Sequence, residues 1–391
     1  MKKIMFITYD FPYPTNTGGK NRAFNLIKHA IDGNEIHLVS FVRADFKEEY
    51  KEYLTRLGVK SITIFERRKL SSVKNLKSVF SKNSTIFKSL YYDKNIEKKI
   101  LELIEKSKID IVHFESYYTA FYMSDKIREL NVKQIFGTEN IEHFLYRDYA
   151  KNSNIFKRLI LDFEVRKIEK EELELLKLAD RCIAVTHQEA SFIKKITGKD
   201  CDVIENGVDL QNFKYKSPHE KILNKILFIG NFTYFPNVDA INYFYSEVFK
   251  KLDSKIKLMV VGKKADSLKL SKDARVECYA FVKDVRDVYR GADIMISPIR
   301  IGGGTNFKIL EAMAIGIPII ANPIRVESLG LKNNEHILFA KNAQEFIDKI
   351  DELLNSHDLR VKLARAAREE VEKKYSWVVI GKKLNNIWQK I

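Results

Sequence analysis

Residues 300–321 run Arg300-Ile-Gly-Gly-Gly-Thr-Asn-Phe-Lys-Ile-Leu-Glu311 and then Ala312-Met-Ala-Ile-Gly-Ile-Pro-Ile-Ile-Ala321. The apolar residues from Ala292 to Pro298 precede the three glycines and predict a buried strand, and a helical pattern follows them. Ile317 begins a further apolar run that predicts another strand. Strand, glycine loop, helix and strand form one βαβ unit, so this run predicts a parallel sheet with the glycines at the carboxyl end of a strand.

The glycine loop has the groups that an anionic ligand needs. Glycine allows the main chain to take positive φ and lets a ligand approach it closely. A helix that begins just after such a loop offers free N–H groups and the positive end of its dipole. Lys308 adds a cation one turn into the helix, and Glu311 follows on the same side with a carboxylate able to accept two sugar hydroxyls. We therefore expect a nucleoside diphosphate site here, the alternative being a glycine-rich surface turn.

Strand-like and helix-like segments alternate along the chain in two successive arrays. The first array begins with a strand at Lys3–Tyr9 and includes a long charged helix from about Ile155 to Leu178. The second begins with a strand at Lys225–Ile229, after a polar linker region that follows the turn at Asn206-Gly207. Strands that alternate with helices predict parallel sheets covered on both faces.

At 391 residues the chain is too long for one ordinary core, so two domains are expected. The prediction is an α/β protein with two doubly wound, Rossmann-like domains that face a central cleft. We place the N-terminal domain at 1–205 and the C-terminal domain at 206–375. The remaining residues, 376–391, are predicted to form a helix that crosses back to the N-terminal domain.

The net charge of +16 points to a polyanionic partner. Between Arg67 and Lys99, ten Lys or Arg residues face only two acids and alternate with apolar side chains. This segment, 67–99, has the composition of a peripheral contact with an anionic membrane, and equally that of a solvated lysine-rich surface. No nucleic-acid recognition motif is present, so a basic nucleic-acid-binding protein is the weaker hypothesis.

Cysteine usage and hydropathy indicate a cytoplasmic protein. Three cysteines without metal-ligand spacing fit free thiols in a reducing compartment, and no apolar stretch approaches the length needed to span a bilayer. We expect the protein in the cytoplasm, with the membrane contact, where it forms, at the inner face of the cell membrane. Asp200-Cys-Asp202 lies outside the phosphate loops and is interpreted as surface charge, so no metal site is predicted.

Short motifs occur in a fixed order along the chain: Phe6-Ile-Thr-Tyr-Asp-Phe-Pro-Tyr-Pro-Thr-Asn-Thr-Gly-Gly19, Glu205-Asn-Gly-Val-Asp209, Gly230-Asn-Phe-Thr-Tyr-Phe-Pro-Asn-Val-Asp239, Phe281-Val-Lys-Asp-Val-Arg286, the glycine-rich segment through Pro318, and Tyr375-Ser-Trp377. With these motifs the chain resembles, over nearly its whole length, the family 4 retaining glycosyltransferases, which have the two-domain GT-B fold. The versions found here are similar to a subgroup that builds bacterial surface polysaccharides and glycoconjugates.

The resemblance implies transfer of a sugar from a nucleotide-sugar donor, such as a UDP- or GDP-sugar, without a cofactor or metal. It implies that Glu311 binds the donor ribose and that the Gly18-Gly19 loop closes over the diphosphate. A glycine pair at the start of a helix is also an anion-binding turn on physical grounds. The backbone expected to hold the diphosphate or the sugar is that of Gly303, Gly304, Thr305 and Asn306.

The sequence departs from the family pattern in three places. Gly303 stands where many relatives have an acid, and the loop Asn231–Asn237 lacks the Arg and Lys that many relatives carry. The cations that neutralise the leaving diphosphate are then expected to be Lys308 first and Arg300 second. Glu139 stands where many relatives have a histidine, so the candidates for that histidine's catalytic work are Glu139, His113 and His143. For His113 the alternative is a hydrogen-bonded core histidine.

The predicted function is therefore that of a retaining glycosyltransferase whose acceptor is a glycan, a lipid-linked glycan or a protein-linked glycan. A nucleotide-sugar epimerase of the same fold is an alternative, but it would need further acid and base groups facing the sugar. A non-catalytic partner subunit is another alternative, suggested by the departure at Asn231–Asn237. The sugar, the base, the acceptor and the oligomeric state are not determined by the sequence.

Overall fold

The computed structural model describes residues 1–43, 46–68, 84–151, 153–301 and 307–391. The chain divides into two compact units. Unit 1 comprises Met1–Asn206 together with Trp377–Ile391, and unit 2 comprises Gly207–Ser376. The division falls one residue after the boundary placed from the sequence.

Unit 1 contains a parallel sheet of seven strands. The strands are β1 (Lys2–Thr8), β2 (Asn34–Val42), β3 (Ser61–Glu66), β4 (Ile111–Glu115), β5 (Lys133–Gly137), β6 (Arg181–Ala184) and β7 (Cys201–Val203). Their order is β3-β2-β1-β4-β5-β6-β7, and every pair is parallel. The chain therefore changes direction across the sheet between β1 and β4, which is where open α/β sheets place ligands.

The helices of unit 1 follow the strands in alternation. They are α1 (Gly18–Ala30), α2 (Glu48–Leu57), α3 (Ile86–Tyr91), α4 (Lys94–Ser107), α5 (Tyr117–Ala120), α6 (Asp125–Glu129), α7 (Glu142–Lys151), α8 (Ile155–Leu178) and α9 (His187–Thr197). Side-chain caps start several of them. Asn154, for example, accepts a hydrogen bond from the Lys157 N–H at the start of α8.

Unit 2 contains a second parallel sheet, of six strands. The strands are β8 (Lys225–Ile229), β9 (Lys257–Val261), β10 (Val276–Tyr279), β11 (Ile294–Ser297), β12 (Ile319–Ala321) and β13 (Leu338–Phe339), in the order β10-β9-β8-β11-β12-β13. Its helices are α10 (Phe235–Tyr243), α11 (Val285–Arg290), α12 (Phe307–Ile315), α13 (Pro323–Val326), α14 (Ala343–Asn355) and α15 (His357–Lys374). The predicted βαβ unit is present as β11, α12 and β12.

Two apolar clusters cover the two faces of the second sheet. One contains Phe228 with Phe244 and Phe346, and the other is built around α12 with Met313 and Leu227. Almost every residue of α12 that follows Lys308 is buried. This packing fixes α12 beside β8 and β11, where the strand order of unit 2 reverses.

The last helix, α16 (Trp377–Lys390), belongs to unit 1. It packs against α1, and Trp388, which is fully buried, contacts the rings of Phe6 and His113. The Asn385 side chain accepts a hydrogen bond of 2.8 Å from Asn34. A helix at the end of the chain thus completes the core of the first unit.

Candidate functional site

Lys308 lies at the point where the strand order of unit 2 reverses. Its Nζ donates to the carbonyl oxygen of Ile229, the last residue of β8, at 3.2 Å, and to Asn237 Oδ1 at 3.3 Å. The same ammonium lies 5.1 Å from the centre of the Phe228 ring. Asn237 is itself fixed, because its amide nitrogen donates to the Asn231 carbonyl at 2.9 Å. The ammonium is therefore held at the carboxyl edge of the sheet.

The partners of the Lys308 ammonium in the described part of the chain are all neutral. Among the residues that the structure describes, no carboxylate lies within ion-pair distance of Nζ. Burial lowers the pKa of Lys308 to about 8, since a low-dielectric environment disfavours the charged form. An anion that binds beside this desolvated ammonium therefore stabilises its charged form more than it would stabilise that of an exposed lysine.

Glu311 follows one turn later on α12. Its Oε2 accepts a hydrogen bond of 2.9 Å from the hydroxyl of Tyr289, a buried side chain of α11. Burial raises the pKa of Glu311 to about 7, although the Tyr289 hydrogen bond opposes the shift. No described residue bonds the other carboxylate oxygen, so this acid can accept hydroxyl groups of a ligand.

Arg300 is engaged elsewhere. Its guanidinium forms two hydrogen bonds with the Asp239 carboxylate, at 3.0 and 3.1 Å, and lies 4.0 Å from the centre of the Tyr243 ring. Its charge is therefore already balanced, which makes it a weaker phosphate ligand than Lys308. The other predicted phosphate ligands, Gly303, Gly304, Thr305 and Asn306, lie outside the described residues.

In unit 1, Gly19 lies in the first turn of α1 with Glu139 against it. A Cβ atom added to Gly19 would lie 2.8 Å from Glu139 Oε1 and would also clash with the Tyr9 hydroxyl, so a larger residue here would have to displace these two side-chain ends. The Tyr9 hydroxyl donates to Glu139 Oε2 at 3.4 Å, whereas Oε1 is buried with no hydrogen-bond partner among the described residues.

Burial, reinforced by the nearby charge of Glu115, raises the pKa of Glu139 to about 7. Close to neutral pH this carboxyl group is therefore partly protonated. The Gly18-Gly19 turn has a carboxyl group as its neighbour, so an approaching diphosphate would favour the protonated form of Glu139.

His113 is a core residue. It is fully buried, it stacks on Phe6, and both of its ring nitrogens are engaged. The indole N–H of Trp388 donates to Nδ1 at 3.3 Å, so the proton of the neutral ring is on Nε2, which contacts Glu115 Oε2 at 2.9 Å. This placement corrects the expectation that His113 reaches a ligand and agrees with the alternative, a hydrogen-bonded core histidine.

His143 is also buried, and it lies in the first turn of α7. Its Nδ1 contacts Glu172 Oε2 at 2.6 Å, and the Glu172 carboxylate also accepts from the backbone N–H groups of Glu142 and His143. Glu172, from α8, thus caps the start of α7 and fixes the His143 ring. The interaction is structural, which leaves Glu139 as the candidate with a carboxylate oxygen that no described residue bonds.

Comparison with known proteins agrees with this arrangement. A sequence model described as Glycosyltransferase Family 4 matches residues 18–212, and one described as Glycosyl transferases group 1 matches residues 224–356. Together they extend over most of both units. The chain belongs to glycosyltransferase family 4.

Three known proteins show what this glycosyltransferase is similar to. An uncharacterized 44.6 kDa protein in the cps region of Klebsiella pneumoniae is 23% identical over 372 residues, 90% of each chain. The capsular polysaccharide biosynthesis glycosyltransferase CapM of Staphylococcus aureus is 25% identical over 201 residues, 47% of this chain and 52% of its own. The structure of Anabaena HepE in complex with UDP and glucose covers 100% of both chains with a TM-score of 0.68 at 14% identity. The fold is GT-B.

Two polar side chains of this glycosyltransferase are not among the site residues predicted from the sequence. One is Glu142. Burial and the charge of Glu172 raise the pKa of Glu142 to about 8, and its carboxylate accepts a hydrogen bond of 3.2 Å from the Tyr118 hydroxyl.

The other is Lys263, an exposed residue that follows β9. The Lys263 carbonyl accepts a hydrogen bond of 2.9 Å from the Phe232 N–H, so Lys263 borders the loop Asn231–Asn237, which lacks Arg and Lys. The two loops can come this close only with glycine at position 262, because its φ is +132° and a Cβ atom there would overlap the Gly230 carbonyl. Contacts between loops so far apart in sequence leave no local signal.

The remaining predicted features of this glycosyltransferase have ordinary partners. Asp200 pairs with Lys194 at 2.7 Å, and Asp202 pairs with Arg181 at 2.6 Å. In the basic segment 67–99, Arg67 donates to the Tyr91 hydroxyl and Arg68 pairs with Asp93, whereas 69–83 lie outside the described residues. No helix in the described part of the chain combines the length and apolar character needed to cross a bilayer.

Proposed function

We propose that this protein is a retaining glycosyltransferase that moves a sugar from a nucleotide-sugar donor to a glycan, lipid-linked or protein-linked acceptor of a bacterial surface polysaccharide or glycoconjugate. The observation that carries the proposal is Lys308, a desolvated ammonium without an anionic partner among the described residues, at the switch point of the second sheet. The relative in a cps region and the neighbour that binds UDP and glucose support the substrate class.

In this proposal Lys308 binds the diphosphate of the donor. Charge develops on the leaving diphosphate as the bond between the sugar and the phosphate oxygen breaks, and a preorganised cation in a desolvated site stabilises it. The N-terminal end of α12 adds its dipole. Glu311 accepts the ribose hydroxyls and so places the phosphates at Lys308. The backbone from Gly303 to Asn306 is expected to contribute further N–H groups.

Retention follows when the acceptor oxygen attacks from the face that the diphosphate leaves. A bond forms between the acceptor oxygen and the anomeric carbon, the bond to the phosphate oxygen breaks, and the acceptor proton passes to that phosphate oxygen. We assign Glu139 to the binding of a sugar or acceptor hydroxyl, because its Oε1 is buried without a partner among the described residues. We further propose that no metal is needed and that the enzyme works at the inner face of the cell membrane.

Turnover of a donor panel tests the proposed function. The full chain is incubated with UDP-, GDP- and ADP-sugars, with and without EDTA, and release of the nucleoside diphosphate is measured. One nucleotide class is expected to react, with the same rate in EDTA, and the matching nucleoside diphosphate should raise the melting temperature, because binding to the folded state stabilises it. If no donor reacts and no nucleoside diphosphate shifts the melting temperature, the proposal fails.

Donor affinity is expected to be highest between about pH 7 and 8. A bound diphosphate raises the pKa of Lys308 above its value of about 8, so affinity is lost as the pH rises above 8, by up to about tenfold per unit. Ribose hydroxyls favour ionised Glu311, whose pKa is about 7, so affinity also falls as the pH drops below 7. Calorimetric titration with an intact nucleotide-sugar measures both limbs. In Lys308→Met the loss at high pH should disappear, and its persistence there would contradict the assignment.

A further inference from the structure

Large apolar side chains are concentrated on the surface of one part of unit 1. Among the described residues, the large apolar side chains that are well exposed within 144–163 are Phe144, Tyr149, Ile155, Phe156, Leu159, Ile160 and Phe163. Phe156 is 79% exposed and Leu159 is 65% exposed. A contiguous apolar patch of this kind marks a surface that contacts something else, since single exposed apolar residues are ordinary but clusters are not.

Five of these residues form one stripe along the start of α8. We call Ile155, Phe156, Leu159, Ile160 and Phe163 the α8 stripe. At about 100° per residue, these five positions span roughly 140° of the helix surface. The buried residues Val165, Ile168 and Glu172 lie on the opposite side of the helix. The first turns of α8, before Val165, therefore present apolar side chains to solvent and contain no buried residue.

Two cations continue the stripe toward the C-terminal end of α8. Arg166 and Lys170 lie on the same side of the helix, both are exposed, and neither forms an ion pair with a described residue. From Phe144 to Lys170 the sequence holds seven Lys or Arg residues and four acids. An apolar end flanked by cations without an ion pair to any described residue matches an anionic lipid interface, in which the apolar side chains enter the acyl boundary and the cations remain among the headgroups.

The adjoining chain has the same charge character. Residues 69–83 contain four lysines and no acid. The residues that follow them are bonded to α8: Thr85 Oγ1 donates to Glu171 at 2.6 Å, the Ile86 N–H donates to Glu164 at 2.6 Å, and Lys167 donates to the Ser84 carbonyl at 3.2 Å. The described residues that follow this basic stretch are therefore bonded to the helix that carries the stripe.

We infer that the α8 stripe enters the interface of an anionic lipid bilayer, with Arg166 and Lys170 at the level of the headgroups. This surface is distinct from the donor site, and the inference does not depend on which sugar is transferred. It adds a contact of defined residues to the membrane contact expected from the basic segment 67–99. Loss of the stripe should weaken the attachment of the protein to vesicles while turnover of a dissolved donor continues.

Co-sedimentation with vesicles tests the inference. The full chain is mixed with vesicles of phosphatidylcholine alone or of equal parts phosphatidylcholine and phosphatidylglycerol. The wild type is expected to bind the mixed vesicles much more strongly. The triple variant Phe156→Ser/Leu159→Gln/Ile160→Ser should lower that partition at least about tenfold. Arg166→Gln/Lys170→Gln should lower binding to the mixed vesicles several-fold and leave binding to phosphatidylcholine unchanged.

The matched control is Leu223→Ser/Val378→Ser, which removes two exposed apolar side chains from other surfaces. It should bind vesicles as the wild type does. Circular dichroism and donor turnover without vesicles should be unchanged in all variants, because the replaced side chains face solvent. The inference is overturned if the wild type does not bind mixed vesicles, if the triple variant binds as well as the wild type, or if the control loses as much. Sedimentation velocity completes the test: a wild-type dimer that the triple variant dissociates, with vesicle binding intact, would assign the stripe to a second copy of the chain.

Discussion

Replacing Lys308 by methionine is expected to lower kcat/KM for the nucleotide-sugar by about a thousandfold, the scale of losing one preorganised group that stabilises charge in the transition state. Methionine keeps an apolar stem against Phe228 but removes the only cation bonded to the Ile229 carbonyl in the described structure. Nucleoside diphosphate release at saturating and limiting donor concentrations measures the effect. Because the ammonium is desolvated in the folded protein, the melting temperature should stay close to that of the wild type.

Arg300→Met is the matched control for the loss of a positive charge. Arg300 follows β11 but is already balanced by Asp239, so its removal should cost less than about tenfold, in the range of an exposed ion pair. Equal losses in the two variants would show that both cations face the diphosphate. Full activity in Lys308→Met would contradict the assignment of the donor site to this part of unit 2.

Replacing Glu311 by glutamine is expected to lower kcat/KM by about a hundredfold, through a higher KM more than a lower kcat. The carboxylate is proposed to accept two ribose hydroxyls, and each hydrogen bond to a charged acceptor is worth about 1.5–3 kcal/mol. The sharper measurement compares the normal donor with its 2′-deoxy analogue. The wild type should discriminate strongly between them, and Glu311→Gln should discriminate much less.

Tyr289→Phe supplies the control for Glu311. It removes the hydroxyl that donates to the Glu311 carboxylate at 2.9 Å and keeps the buried ring. We expect a loss of less than about tenfold and unchanged discrimination against the 2′-deoxy donor, since the carboxylate remains. If Glu311→Gln discriminates as well as the wild type, Glu311 does not bind the ribose.

The sequence predicts the parallel strands from their apolar runs and the long helices from their periodicity. The predicted bounds of β8 and α8 are those of the structure, because each is a clear pattern between strong breaks. The sequence after β8 also predicts one helix from Asn237 to about Leu252, and here the structure differs. The helix ends as an α-helix at Tyr243 and continues as a π-helical turn over Phe244–Val248, a change in winding that apolar spacing does not encode. No sequence pattern predicts β7 and β13, because strands of three and two residues show no periodicity.

For the site, the sequence indicated which residues share a helix but not which partners they meet. Lys308 and Glu311 follow from the spacing on α12, whereas Asn237 and Tyr289 reach them from other elements. His113 illustrates the same limit. It ends an apolar stretch and so was a candidate to reach a ligand, but its role depends on Trp388, 275 residues later. The roles of the predicted site residues therefore remain predictions that the variants above address.

The assignment of α16 to unit 1 has a consequence for biosynthesis. The strands of the first unit leave the ribosome early, but the indole that covers Phe6 and His113 is translated only after the whole of unit 2. Until then a nascent chain carries an uncovered apolar site on an otherwise assembled sheet, and such surfaces attract chaperones or promote aggregation. Messages truncated near the 3′ end of the coding region would yield a product whose second unit is whole and whose first is not.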